Sequence, residues 1–167
     1  MRPADSRAGI LFPALLATAT LATLTGCGGP ATSDAAAENA RKSQQATLDR
    51  DWRTACALQT EAARERDVKG PDRSVDACAK DRAAQFGTQG PRDGRITLGT
   101  PVAVGATGSH PAGMGVRVTV EANGMTAHSA YRMVQDDADA WLVDQTVNLV
   151  EEDGLTENDV REELASR

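Results

Sequence analysis

Aromatic side chains are scarce in this 167-residue chain: two Trp, one Tyr and two Phe, 3% in all. A core built with so few must be filled by Val, Leu, Ala and Met, which bury less area per residue. Histidine occurs only at positions 110 and 128 and cysteine only at 27, 56 and 78. Two distant cysteines and two separate histidines supply no recognisable set of metal ligands. Positive charge is not in excess either, the formal net charge being −6. Phosphate backbones need clustered basic residues, so no nucleic-acid partner is expected. No apolar run reaches the roughly 20 residues of a membrane-spanning helix. Gly-x-Ser-x-Gly is absent, and with it the nucleophile elbow of serine hydrolases.

What is present begins at the N-terminus. Arg2 and Arg7 precede the charge-free stretch Gly9–Leu24, 16 residues rich in Leu, Ala and Thr and interrupted by Pro13. Small residues Thr25 and Gly26 close it before Cys27. Positive, then apolar, then small is the order of a signal peptide. Leu24-Thr25-Gly26-Cys27 further resembles, in all four positions, the lipobox of bacterial prolipoproteins. That resemblance implies a diacylglycerol on the Cys27 thiol and cleavage just before it, making residues 1–26 a leader. The rival reading is an ordinary secretory signal cut before a Cys. Two acyl chains anchor a protein stably where one is marginal. The expected location is therefore the outer, extracytoplasmic face of the cell membrane, with the bilayer engaged through the lipid. Gly28 to Ala40 lacks bulky apolar residues, so residues 27–40 are read as lipidated Cys and flexible tether.

The remainder divides into a domain over 41–150 and an acidic helix or tail over 151–167. From about Ala40 to Asp67 the residues Leu48, Trp52, Ala55, Cys56, Gln59, Ala62 and Ala63 fall on one helical stripe. Gly70-Pro71 breaks the chain. Ser74 is a plausible N-cap for a second helix to Phe86, with Val75, Cys78, Ala79 and Arg82 on one face and Gly87 at its end. In an oxidising compartment Cys56 and Cys78 are read as a disulfide between these helices. Closing a loop of about 23 residues would contribute roughly 3 kcal/mol. Two free buried thiols, or a metal site, are the alternatives.

After Gly90 the period becomes two. Arg95 to Gly105 is strand-like but interrupted by Gly99 and Pro101, and Val116, Val118 and Val120 alternate with Arg117, Thr119 and Glu121. Asn123-Gly124 suits a type I′ hairpin, because both central residues need positive φ. Met125–Gln135 returns, and a turn over residues 136–139 leads to Ala140–Val150, where Trp141, Val143, Val147 and Leu149 are expected to share a face. Helices followed by a meander of three or four strands is an α+β order. Thr156 could cap a last helix to Ala165, whose thin stripe of Val160 and Leu164 predicts weak docking.

This layout resembles the NTF2-like (cystatin-like) superfamily, as found in small lipoproteins of actinobacteria, a source that Arg outnumbering Lys fifteen to three also suits. The resemblance rests on Trp52-Arg53-Thr54-Ala55-Cys56, the helix bearing Cys78, and Trp141-Leu142-Val143-Asp144, and covers about residues 40–150. It implies helices packed on a curved antiparallel sheet, often around a pocket. It does not select an activity, since such folds serve isomerases, hydrolases, binders and dimerisation modules alike. The isomerases of that superfamily use an Asp base and a Tyr donor, for which Tyr131 and Asp144 are the candidates. Asp144 alternates out of phase with Trp141 and Val143, so a surface carboxylate and a partly buried ring are expected instead. His110 reads as a loop histidine and His128 as an exposed strand histidine. Gly105-Ala106-Thr107-Gly108-Ser109 lacks the Gly-Lys-Ser/Thr ending of a phosphate loop. Asp137 and Asp139 resemble the start of a calcium loop, but Ala140 and Trp141 stand where oxygen ligands and glycine are needed. No catalytic, cofactor-binding or metal-ligating residue is assigned. The leading expectation is a non-enzymatic binding domain for a small apolar ligand or an envelope protein, with a pocket enzyme of the isomerase or dehydratase kind and a sheet-mediated homodimer as alternatives.

Overall fold

Alanine at a four-residue spacing starts the fold. Ala36, Ala40 and Ser43 form one stripe of helix α1 (Pro30–Asp49), and all three are buried. A computed structural model describes residues 30–90, 94–150 and 154–166. The leader 1–26 and Cys27 lie outside them. The segment expected to be a flexible tether is helical from Pro30 onward. Alanine is the strongest helix former, and its small side chain lets the helix approach a sheet that brings the bulk. Val116, Met133, Trp141 and Val143 complete the cluster around Ala36 and Ala40.

The single helix expected over Ala40–Asp67 is three. Arg50 takes a positive φ of 59° after α1, with its guanidinium carbon 5.1 Å from the centroid of the Trp52 ring. Asp51 then caps α2 (Trp52–Ala57) by accepting from the Thr54 N–H, and Thr60 caps α3 (Glu61–Asp67) through the Ala63 N–H. The stripe survives the breaks: Leu48, Trp52, Ala55, Cys56, Gln59 and Ala63 are buried, while Ala62 is exposed. Helix α4 (Val75–Phe86) begins at its Ser74 cap and ends at Gly87, as expected. A disulfide joins Cys56 of α2 to Cys78 of α4, beside buried Val68.

Five strands follow: β1 (Gly94–Leu98), β2 (Val102–Val104), β3 (Gly113–Ala122), β4 (Met125–Gln135) and β5 (Trp141–Leu149). They form a curved, open antiparallel sheet, one strand more than the three or four expected. The extra strand arises because the Arg95–Gly105 segment is split. Leu98 pairs with Val118 but Val102 with Gly115, so Gly99-Thr100-Pro101 inserts one residue relative to β3. That insertion turns the side chains over. Ile96 and Leu98 pack towards α1, whereas Val102 and Val104 pack on the opposite face. Asn123 and Gly124 hold φ of 53° and 73°, the expected hairpin. Asp136 closes the next turn by accepting from the N–H groups of Ala138 and Ala140.

Helix α5 (Glu157–Ala165) covers the opposite face. Its docking is firm where a weak one was expected. Val160 and Leu164 are buried against Val102, Val104, Ala130, Val147 and Leu149. Gly115 makes the seat, since a Cβ there would lie 2.9 Å from Val160 and 3.1 Å from Leu164. Among the described residues no helix is long and apolar enough to cross a membrane.

Candidate functional site

Across β4 and β5, Arg132 pairs with Gln145 but Met133 pairs with Val143. Asp144 is thus the extra residue of a β-bulge, which reverses the alternation beyond it. Trp141 and Val143 pack towards α1, while Val147 and Leu149 pack towards α5. The expectation that these four share a face is corrected, and so is the exposed Asp144. Its side chain is buried, with only 1% of the residue accessible.

A buried carboxylate needs partners, and Asp144 has them on three sides. Residues 58–60 run along the edge of β5, held by Thr60 N–H to Val143 O at 2.9 Å and Val143 N–H to Leu58 O at 2.8 Å. This brings the Thr60 hydroxyl to Asp144 Oδ1 at 2.9 Å. Arg66 of α3 donates to the Asp144 carbonyl and lies 3.6 Å from Oδ1. His110 Nδ1 is 2.6 Å from Oδ2. The carboxylate only accepts, so Nδ1 carries the proton and a neutral ring keeps its lone pair on Nε2. The loop histidine of the sequence reading is therefore a buried partner of an acid 34 residues away.

His110 is held from behind as well. Thr107 and His110 exchange backbone hydrogen bonds of 3.0 and 2.8 Å around Gly108, whose φ is 53°. Arg132, fully buried, clasps the same loop at Gly105 O, Pro111 O and Thr107 Oγ1, and reaches Gln145 Oε1 and Leu164 O with its remaining donors. Burial lowers the pKa of this guanidinium from its ordinary value, and the Asp144 charge partly offsets that.

These groups border a cavity of about 520 Å³ between the N-terminal helices and the β4–β5 pair. Its wall includes Ser43, Gln44 and Thr47 of α1, Arg66 and Asp67 of α3, Arg82 of α4, and Ser129, Tyr131, Thr146 and Asn148 of the sheet. Asp144 and His110 complete one side. The sequence candidates Tyr131 and Asp144 thus line one cavity, but neither is presented as expected. Tyr131 is buried and donates its hydroxyl to Gln44 Oε1. Burial pushes its pKa up to about 12, against a smaller opposing effect of the Arg82 charge. His128 is half-buried rather than exposed, with Nδ1 2.9 Å from Thr119 Oγ1. Cys27 lies outside the described residues, and the Cys56–Cys78 disulfide does not line the cavity, though Cys78 Sγ lies 3.7 Å from Oε1 of the wall residue Gln59.

Sequence reasoning missed Thr60, Arg66, Gln44 and Arg132. The polar pair Asp144-Gln145 inside an apolar strand was the one available sign of the bulge. Among the described residues, no group of three or more His, Cys, Asp or Glu is placed to hold a metal ion. No protein-family model, curated protein or solved structure matches the chain.

Proposed function

We propose that this chain is a lipoprotein of the outer membrane face, anchored through Cys27, whose NTF2-like domain binds a small polar ligand between helices and sheet. The cavity carries this reading. Its volume falls in the range of small-molecule sites, about 300–1,000 Å³, and its wall is rich in hydroxyl and amide groups. Such a wall suits a hydrogen-bonding ligand in place of the apolar one expected from the sequence, because an apolar occupant would strand those groups without water. A homodimer through the sheet faces is disfavoured, since α1 and α5 pack on them.

Catalysis is the second reading, favoured by one observation: the buried Asp144 in the same wall as Tyr131 and His110. Both Asp144 oxygens are engaged by Thr60 and His110, and the Tyr131 proton is given to Gln44. On this reading Asp144 would have to release Thr60 or His110, and Tyr131 its bond to Gln44, before either acted on a substrate.

The anchor and the cavity are tested separately. Mass spectrometry of membrane fractions should find a diacylglyceryl group on an N-terminal Cys27, and Cys27→Ser should release the protein from membranes. An unmodified, soluble wild-type chain would end the anchoring reading. Melting of the full chain against a set of small charged, neutral polar and apolar molecules tests the cavity. A rise in Tm with at least one class, lost in Thr146→Phe, is expected.

A further inference from the structure

The charges in the cavity wall are already matched. Asp67 pairs with Arg82, and Asp144 with Arg66. A charged ligand would have to compete with these pairs, and at Asp144, whose side chain is almost inaccessible, the group left unpaired would be buried, which costs several kcal/mol in general. What remains for a ligand is a set of neutral groups, of which Thr47 already donates to Ser43 O and Ser129 to Asn148 Oδ1. Ser43 and Thr47 line the α1 side, and Ser129, Thr146 and Asn148 the sheet side. Thr146 and Asn148 are exposed side chains of β5, so they face the cavity without being part of the core.

His110 adds a directed acceptor to this neutral set. Its Nδ1–H is committed to Asp144, and its position is fixed by the 107–110 turn and the Arg132 clasp. The lone pair on Nε2 is therefore held in place and suits a ligand group that donates a proton into a hydrogen bond. A hydroxyl is the group that matches the whole wall, since it donates to Nε2 and accepts from amides and serines.

We infer that the cavity takes an uncharged, hydroxyl-rich molecule of sugar size, and that His110 Nε2 accepts a hydrogen bond from one of its hydroxyls. This rests on the binding reading above and names its ligand class and its specificity residue.

The test is calorimetric titration of the full chain, purified in a detergent without a sugar head group, against five probes. Glucose and trehalose are neutral polyols, gluconate and glucose 6-phosphate are charged counterparts, and heptanol is apolar. Saturable binding of glucose or trehalose, with the charged counterparts at least about tenfold weaker, is expected. His110→Asn keeps a donor for Asp144 but removes Nε2, and should weaken sugar binding by about tenfold, the worth of one well-placed hydrogen bond. Should that variant fail to fold, Asn148→Leu on the exposed strand face serves instead, with the same expected loss. Nitrogen-resolved NMR of the wild type should show the Nδ1–H tautomer and an Nε2 signal that shifts on sugar addition. Preferential binding of a charged probe would overturn the inference and leave the binding reading standing, whereas preferential binding of heptanol would overturn both. No response to any of the five removes both. Unchanged sugar affinity in His110→Asn, or an unmoved Nε2 signal, rejects the role of His110.

Discussion

Arg132 is a buried cation that forms no ion pair with a carboxylate among the described residues. Its five N–H donors meet five acceptors, three of them backbone carbonyls at Gly105, Pro111 and Leu164. Leu164 lies in the last turn of α5, where the helix dipole is negative, so the carbonyl there attracts as well as accepts. Loss of the guanidinium leaves these acceptors buried and unmet. Arg132→Met should cost about 3–5 kcal/mol in urea unfolding, out of a total of about 5–15 for such a domain. Arg132→Lys should recover little, because an ammonium has three donors and lacks the planar fork. A loss below about 1 kcal/mol for Arg132→Met would show that the clasp is not needed. Nothing at this scale was legible in advance. Arg132 alternates with Tyr131 and Met133 like a solvent-facing residue, and only α5 on the far face makes its environment interior.

Elements are joined here by small residues as much as by large ones. Gly115 admits α5 onto the sheet, and Ala36 and Ala40 admit α1 on the other side. Gly115→Val would place branched methyl groups where Val160, Val104 and Leu164 already lie within about 3 Å of a Cβ. Overpacking of this kind costs typically about 1–3 kcal/mol. The expected signature is local: amides of residues 157–165 should exchange with solvent far faster than in the wild type, while those of β3–β5 stay protected. Retained protection of α5 would mean that the seat is more pliable than its distances indicate. Disulfide and caps were legible at this scale, because Cys56, Cys78, Ser74 and the Asn123-Gly124 turn act through local chemistry. Helix breaks at Arg50 and after Ala57 were signalled by Asp51 and Thr60 as caps, but an unbroken apolar stripe outweighed them in the reading. The stripe stays buried across the breaks because Ala46, Trp52 and Ala55 pack together in one cluster and Cys56 joins Val68 and Cys78 in the next.

For the whole molecule, the single tyrosine offers a measure of how well the interior excludes water. Tyr131 titrates near 10 in the unfolded chain and near 12 when folded, its burial disfavouring the phenolate. The folded state binds more protons in that window, so stability is complete below pH 10 and is lost as pH rises towards 12. The loss attributable to this group is on the order of 2–3 kcal/mol. Ultraviolet titration of the phenolate reads this residue alone, since the chain has one Tyr. A folded-state midpoint near 12 is expected, and one near 10 would place the ring in water. Tyr131→Phe should abolish this part of the alkaline slope. By itself the sequence determined the α+β order, the three longest strands, the hairpin and the cysteine pairing, since periodicity, caps and redox chemistry are local or pairwise. Only the tertiary structure decided that an alanine-rich tether is a core helix, that a thin tail is a docked one, and that Asp144 meets His110. Each of those depends on what the other side of a contact supplies, and a bulge of one residue is enough to send a side chain from water to the interior.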